Sequence, residues 1–355
     1  MNIAGRTIGS AHPVYVIAEL GVNHDGSLDR ALALVDAAAD AGADAIKLQL
    51  FRASLLMSRA SRLAAYQSAA GESDPHAMLR RLELPLADMA LVIARAHARS
   101  LAAICTVFST QLVAESIALG CDAYKSASPD IIHRPLLEAM AATARPLIIS
   151  TGAASPEEAV RARTWLDASA TAQRLAFLQC VSSYPTPDAD ASLGGIPALA
   201  ALIPDCPIGY SDHTQRTDTG FWAAAQGASI LEKHLTHDRA AAGPDHAASL
   251  DPDQFRDYCD LARRDPSDPP AAPDADLIGP IAKRILDREH DVRTLSRQSI
   301  VSTRDIPAGA ALTPDALTCK RPGTGIPPFR MTDILNRTTA RSIAADMPIT
   351  EEDLA

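Results

Sequence analysis

Two hydrophobic rhythms alternate along the first 264 residues. Short apolar runs recur at Val14–Leu20, Ala45–Leu50, Ala102–Thr106, Ala123–Lys125, Pro146–Ser150, Leu175–Cys180, Ile208–Tyr210 and Ser229–Leu231. Nearly unbroken apolar character is what a strand covered on both faces requires, so each run predicts a strand of a parallel sheet. Between the runs, apolar residues recur at helical spacing: Leu28–Ala41, Pro85–Ser100, Gln111–Leu119, Pro135–Thr143, Pro156–Ala168, Ala198–Ile203 and Asp218–Gly227. A last helix starts at Asp251-Pro252 and runs to about Arg264, with proline at its first position. Ser27 and Ser155 are placed to cap helices, and Gly42 and Gly120 to end them. Eight strand-then-helix units predict a (β/α)₈ barrel, with residues 52–84 as an excursion over its mouth.

Beyond the barrel the rhythm changes. Asp265–Pro273 is rich in Pro and Asp and has little to bury, and Ile278–Leu286 predicts a short helix. From Ser299 on, short strands and turns replace the βα alternation. The expected organisation is a catalytic barrel over 1–264, a linker over 265–295 and a small module over 296–355.

Composition narrows the function. A net charge of −10 argues against nucleic-acid and anionic-membrane partners, which need a basic face. There is no leader-like apolar segment and no run long enough to span a membrane, so a cytoplasmic location is expected. The six cysteines are scattered without C-x-x-C pairing, as in a reduced compartment. Basic residues are mostly Arg, so Lys47 and Lys125, each inside an apolar run, stand out.

The strand ends carry the chemistry. Glu19, Lys47, Thr106, Lys125, Ser150, Ser182, Ser211 with His213, and Glu232 with His234 all fall where a parallel barrel presents its active face. Lys47 and Lys125, with the hydroxyls of Ser128, Ser150, Ser182 and Ser211, suit a ligand bearing phosphate and carboxylate. His213 and His234, on neighbouring strands, suit a shared Mn, Fe, Zn or Ni ion. Glu19, beside the Gly21–Gly26 loop, suits a base or a charge stabiliser.

The stretches AELGVNHDGSLDRALALVDAAADAGADAIKLQLF, YKSAS, PLIISTG, CVSSYPTP, GYSDHT, LEKHLTHDR, GPDHAASLDP and KRPGTGI resemble the sialic acid synthase family, across nearly the whole chain. That resemblance implies a barrel followed by an antifreeze-like (SAF) module, and condensation of phosphoenolpyruvate with N-acetylmannosamine. It implies that His213 and His234 bind a divalent metal, most often manganese, with magnesium or cobalt as alternatives. Lys47, Lys125, Ser128, Ser150, Ser182, Tyr184 and Ser211 would hold phosphoenolpyruvate, while Glu19 and Glu232 manage charge and protons. Arg321, in KRPG, would reach the sugar in the partner's barrel of a domain-swapped homodimer.

Two departures from the family pattern stand out. Gln179 replaces a common His, which predicts an altered secondary contact. The 52–84 segment lacks the sugar-side Asn of some members, which admits a modified acceptor such as those of legionaminic or pseudaminic acid synthases. A metal-dependent sugar isomerase or epimerase would not need two phosphate-directed lysines. A non-catalytic carbohydrate-binding protein would leave the strand-end residues unexplained.

Overall fold

The computed structural model describes residues 1–166, 172–271 and 274–355. Eight parallel strands close into a barrel: β1 Tyr15–Glu19, β2 Ala45–Leu50, β3 Ala102–Val107, β4 Ala123–Ser126, β5 Leu147–Ser150, β6 Leu175–Cys180, β7 Ile208–Asp212 and β8 Ile230–His234. β8 pairs with β1 in register Glu232↔Ile17 and His234↔Glu19, which brings the chain's two acidic strand ends side by side.

The side-chain period of two sorts each strand into two faces. The outward set, such as Val16, Ile46, Leu48, Tyr124 and Phe177, packs under the surrounding helices as the main core. The inward set begins apolar: Tyr15, Ile17, Ala45, Ile104, Ile148, Leu178 and Ile230 fill the lower half of the barrel. Ile3 and Ile8, from the hairpin Asn2–Ile3/Arg6–Thr7 and the turn after it, join that cluster from below. One step further up, the same phase turns polar and makes the site.

Local signals placed most helices as expected. Ser27 accepts from the Arg30 amide at the start of Leu28–Asp40, and Ser155 forms a capping box with Glu158 over Pro156–Trp165. Residues 167–168, expected to finish that helix, lie outside the described residues. The 52–84 excursion contains three short helices, Ala53–Leu56, Ala65–Ala69 and Pro75–Leu82. Phe51, Leu56, Met57, Met78, Leu79 and Leu82 from this region form a small apolar cluster at the mouth.

The expected helix at Ile278–Leu286 does not form. Gly279 sits at φ +63 and is followed by Pro280, so the helix ends at Ile278 and another begins only at His290. Within the stretch expected to be linker, 265–269 is exposed, whereas 277–295, continuing to Gln298, packs onto the barrel mouth as a strap. Leu277 joins the barrel core, the amides of Leu193 and Gly194 donate to Leu277 and Ile278 carbonyls, and Gln298 Nε2 donates to Asp130. The module follows at once, its strands β9 Ser299–Ser302 and β10 Leu317–Lys320 paired around a separate apolar core. Among the described residues no helix is long and apolar enough to cross a membrane.

Candidate active site

The inward residues at the strand tops are Glu19, Lys47, Thr106, Lys125, Ser150, Cys180, Ser211 and Glu232, one from each strand, and all line one pocket. Burial forces the charged members together. Lys47 Nζ lies 2.5 Å from Glu19 Oε2 and 2.7 Å from Glu232 Oε1. Lys125 Nζ lies 3.2 Å from Glu232 Oε2, and the Ser211 hydroxyl donates to Glu232 Oε1 at 3.0 Å. Two carboxylates and two ammoniums thus share one buried network of balanced charge.

The network sets its own protonation. Burial alone would push Glu232 up, but the ammoniums of Lys125 and Lys47 outweigh it and hold the carboxyl well below the usual range. Burial, opposed by Glu232, brings Lys47 down to about 7. Lys47 can therefore exchange its proton near neutral pH.

Next to this network lies a patch of hydroxyls. Ser150 Oγ, Ser182 Oγ and Thr106 Oγ1 are buried without a hydrogen-bond partner, and Ser128 Oγ accepts from the Gly152 amide at 3.0 Å. Gly152 has to be glycine here: a Cβ would stand 2.3 Å from Ser182 Oγ and 2.8 Å from Ser128 Oγ. Unpaired buried hydroxyls are costly unless a ligand completes them.

His213 and His234 face each other across the pocket with ring centroids 5.5 Å apart, and Tyr184 lies 4.0 Å from the His213 ring. Burial pulls His213 below the ordinary imidazole range and His234 well below it, so both are neutral. The Val181 carbonyl, 2.8 Å from His213 Nδ1, can only accept, so that nitrogen carries the hydrogen and Nε2 keeps its lone pair. His234 Nδ1 has no hydrogen-bond partner. Two neutral imidazoles with free nitrogens fit a divalent metal. Among the described residues no cluster of three or more His, Cys, Asp or Glu is arranged as a metal site, so water and substrate oxygens would complete the coordination.

Several placements differ from the sequence reading. Gln179 makes no contact with the pocket: it points out of the barrel, donates to the Ser192 carbonyl at 3.3 Å and packs against Gly195. Its neighbours Leu178 and Cys180 hold the inward phase. Arg321 lines the mouth of its own barrel, where the resemblance implied the partner's. Its amide donates to Leu56 O at 2.8 Å, its carbonyl accepts from Ser58 and Ser61 hydroxyls, and its guanidinium lies 5.7 Å over the Phe108 ring. The strap leaves the module directly above this rim, which is why the loop lands there. Asp245 was missed as a site residue; it lines the pocket 3.9 Å from His234, and burial raises its carboxyl to about 6.

Comparison with known proteins assigns the family. Residues 34–265 match the model of the NeuB family and residues 297–355 that of the SAF domain. The chain is 33% identical to the spore coat polysaccharide biosynthesis protein SpsE of Bacillus subtilis, over 99% of this chain and 96% of that one. It is 34% identical to the N,N'-diacetyllegionaminic acid synthase of Legionella pneumophila, over 95% and 93%. The crystal structure of SpsE superposes with a TM-score of 0.86 and covers 100% of this chain and 99% of its own. The chain therefore belongs to the NeuB family, its barrel followed by a SAF domain.

Proposed function

We propose that this protein condenses phosphoenolpyruvate with the open-chain form of a 2-acetamido sugar, giving a nonulosonic acid and inorganic phosphate. The observation that carries this reading is the Glu19–Lys47–Glu232–Lys125 network set between unpaired serine hydroxyls and a neutral histidine pair. Lys125, Lys47 and the hydroxyls of Ser128, Ser150, Ser182 and Ser211 bind the donor's phosphate and carboxylate, with Tyr184 closing that side. His213 and His234 would hold a divalent metal, manganese by family resemblance, and when bound it would supply Lewis-acid polarisation of the aldehyde.

Carbon 3 of the enol bonds to the aldehyde carbon, whose oxygen takes up a proton. The cation left at carbon 2 sits against the ionised Glu232 and Glu19. Water adds there and loses a proton, and the bond from carbon 2 to the bridging oxygen breaks to release phosphate. Phosphate should appear only when sugar is present, and ¹⁸O placed in the bridging position should leave with it. Label retained in the organic product would overturn the mechanism.

The sugar side of the pocket supports a modified acceptor. Val22, Phe51, Leu56, Met78, Leu79 and Leu82 line it and offer no hydrogen bonds. A sugar hydroxyl buried there unpaired loses about 1–3 kcal/mol. A deoxy carbon or the methyl of an acyl group fits this wall better than a hydroxyl of plain N-acetylmannosamine.

The module's position raises the question of which barrel it serves. We propose that it exchanges between two copies, because the stretch 265–269, just past the Arg263 contact with the barrel, is exposed and can serve as the hinge that carries strap and module across. Refolding a one-to-one mixture of the inactive His234→Ala and Arg321→Ala variants should restore roughly a quarter of full activity, since about half the dimers are mixed and each has one intact site. A mixture that stays inactive would fix Arg321 on its own barrel.

A further inference from the structure

We infer that the strap is part of the donor site, and that Glu289 is a positioning residue for the loops that receive the donor's phosphate. The inference rests on the reading of the serine patch as the phosphate end.

Glu289 is fully buried. Its Oε1 accepts from two backbone amides, Ala153 and Ser182, each at 2.7 Å, while Oε2 accepts from the Leu286 amide at 2.9 Å. Ala153 and Ser182 lie on the loops that leave β5 and β6, which carry Ser150, Gly152 and Ser182. One carboxylate oxygen therefore sets the spacing of two loops whose hydroxyls must converge on one anion.

The grip on Ala153 is two-sided. Its carbonyl accepts from Arg293 Nη1 at 2.7 Å and from Arg297 Nη2 at 3.1 Å, and both guanidiniums are anchored on Glu158. Ala153 holds a φ of +52, a left-handed conformation that a residue with a Cβ keeps only when its surroundings impose it. Those surroundings are the strap. The preceding residue, Gly152, is the one wedged between Ser128 and Ser182.

The test uses the full-length protein with manganese in excess, titrated calorimetrically with phosphoenolpyruvate and with inorganic phosphate, alongside steady-state kinetics. Glu289→Ala should weaken both anions by about 10-fold or more, the scale expected when a site is misplaced by a fraction of an ångström, and leave the acceptor KM within about 3-fold. Glu289→Gln keeps one oxygen for the two amides and should recover most of that loss. If Glu289→Ala does not fold, Glu289→Asp decides: it keeps the charge but draws the carboxylate back from the Ala153 and Ser182 amides, and should weaken both anions with the acceptor KM unchanged. Wild-type anion affinity in Glu289→Ala or Glu289→Asp, or equal changes in donor and acceptor KM, would overturn the inference alone. A wild-type protein that binds neither anion would remove the donor reading, and the inference with it.

Discussion

Replacing Lys125 by Ala should raise the KM for phosphoenolpyruvate by about 100-fold or more, while the acceptor KM stays within a few-fold. The ammonium is almost wholly buried, 3.2 Å from Glu232, in a network whose two acids and two bases balance. Losing one partner of such a pair costs roughly 3–5 kcal/mol because the other charge stays buried. Here the penalty is concentrated on one ligand. Without Lys125 the network carries a net negative charge at the spot where a trianionic donor must approach. Steady-state parameters for both substrates, on variant protein shown to be folded, decide the matter. Donor parameters close to wild type would take Lys125 out of the binding role.

Removing the metal should abolish turnover, and manganese should restore it to the wild type but not to His213→Ala or His234→Ala. Both rings are neutral because burial disfavours their charged forms, so protons compete for them only below the ordinary imidazole range. The Val181 carbonyl fixes the tautomer of His213 and leaves its other nitrogen free. With two protein ligands, losing either should weaken metal affinity by at least about 10-fold, the scale seen even when a supporting partner is lost. Direct metal titration of the variants reads this without reference to activity. Full turnover in EDTA would exclude the metal.

The barrel and its charged top were legible in the sequence because one rule governs both. Apolar runs fix the strands, the period of two fixes which side chains point inward, and Lys47, Lys125 and Glu232 share that phase with Tyr15, Ile17 and Ile230. The same rule, applied one residue further, places Gln179 outside, since Leu178 and Cys180 already occupy the inward positions. The strap was not legible. Its buried residues include Glu289, Arg297 and Gln298, which hydropathy assigns to solvent. They are buried because Glu158, Asp130 and loop amides on the barrel complete them, and those partners are more than 100 residues away in the chain. Asp245 was hidden for a related reason: nothing in GPDHAAS marks which of its polar residues turns toward His234.

The apolar packing in the lower half of the barrel makes the site a blind well. Tyr15, Ile17 and Ile148, with Ile3 and Ile8 beneath them, leave no passage through the floor. In the proposed condensation both substrates and both products would use the rim that Arg321 and the 52–84 helices border. A well with one opening imposes a queue. The donor on the lysines would arrive before the sugar covers it, and the phosphate would depart only after the larger product has cleared the mouth. Order of events in such an enzyme is a matter of shape, set by a handful of isoleucines far from any reacting atom.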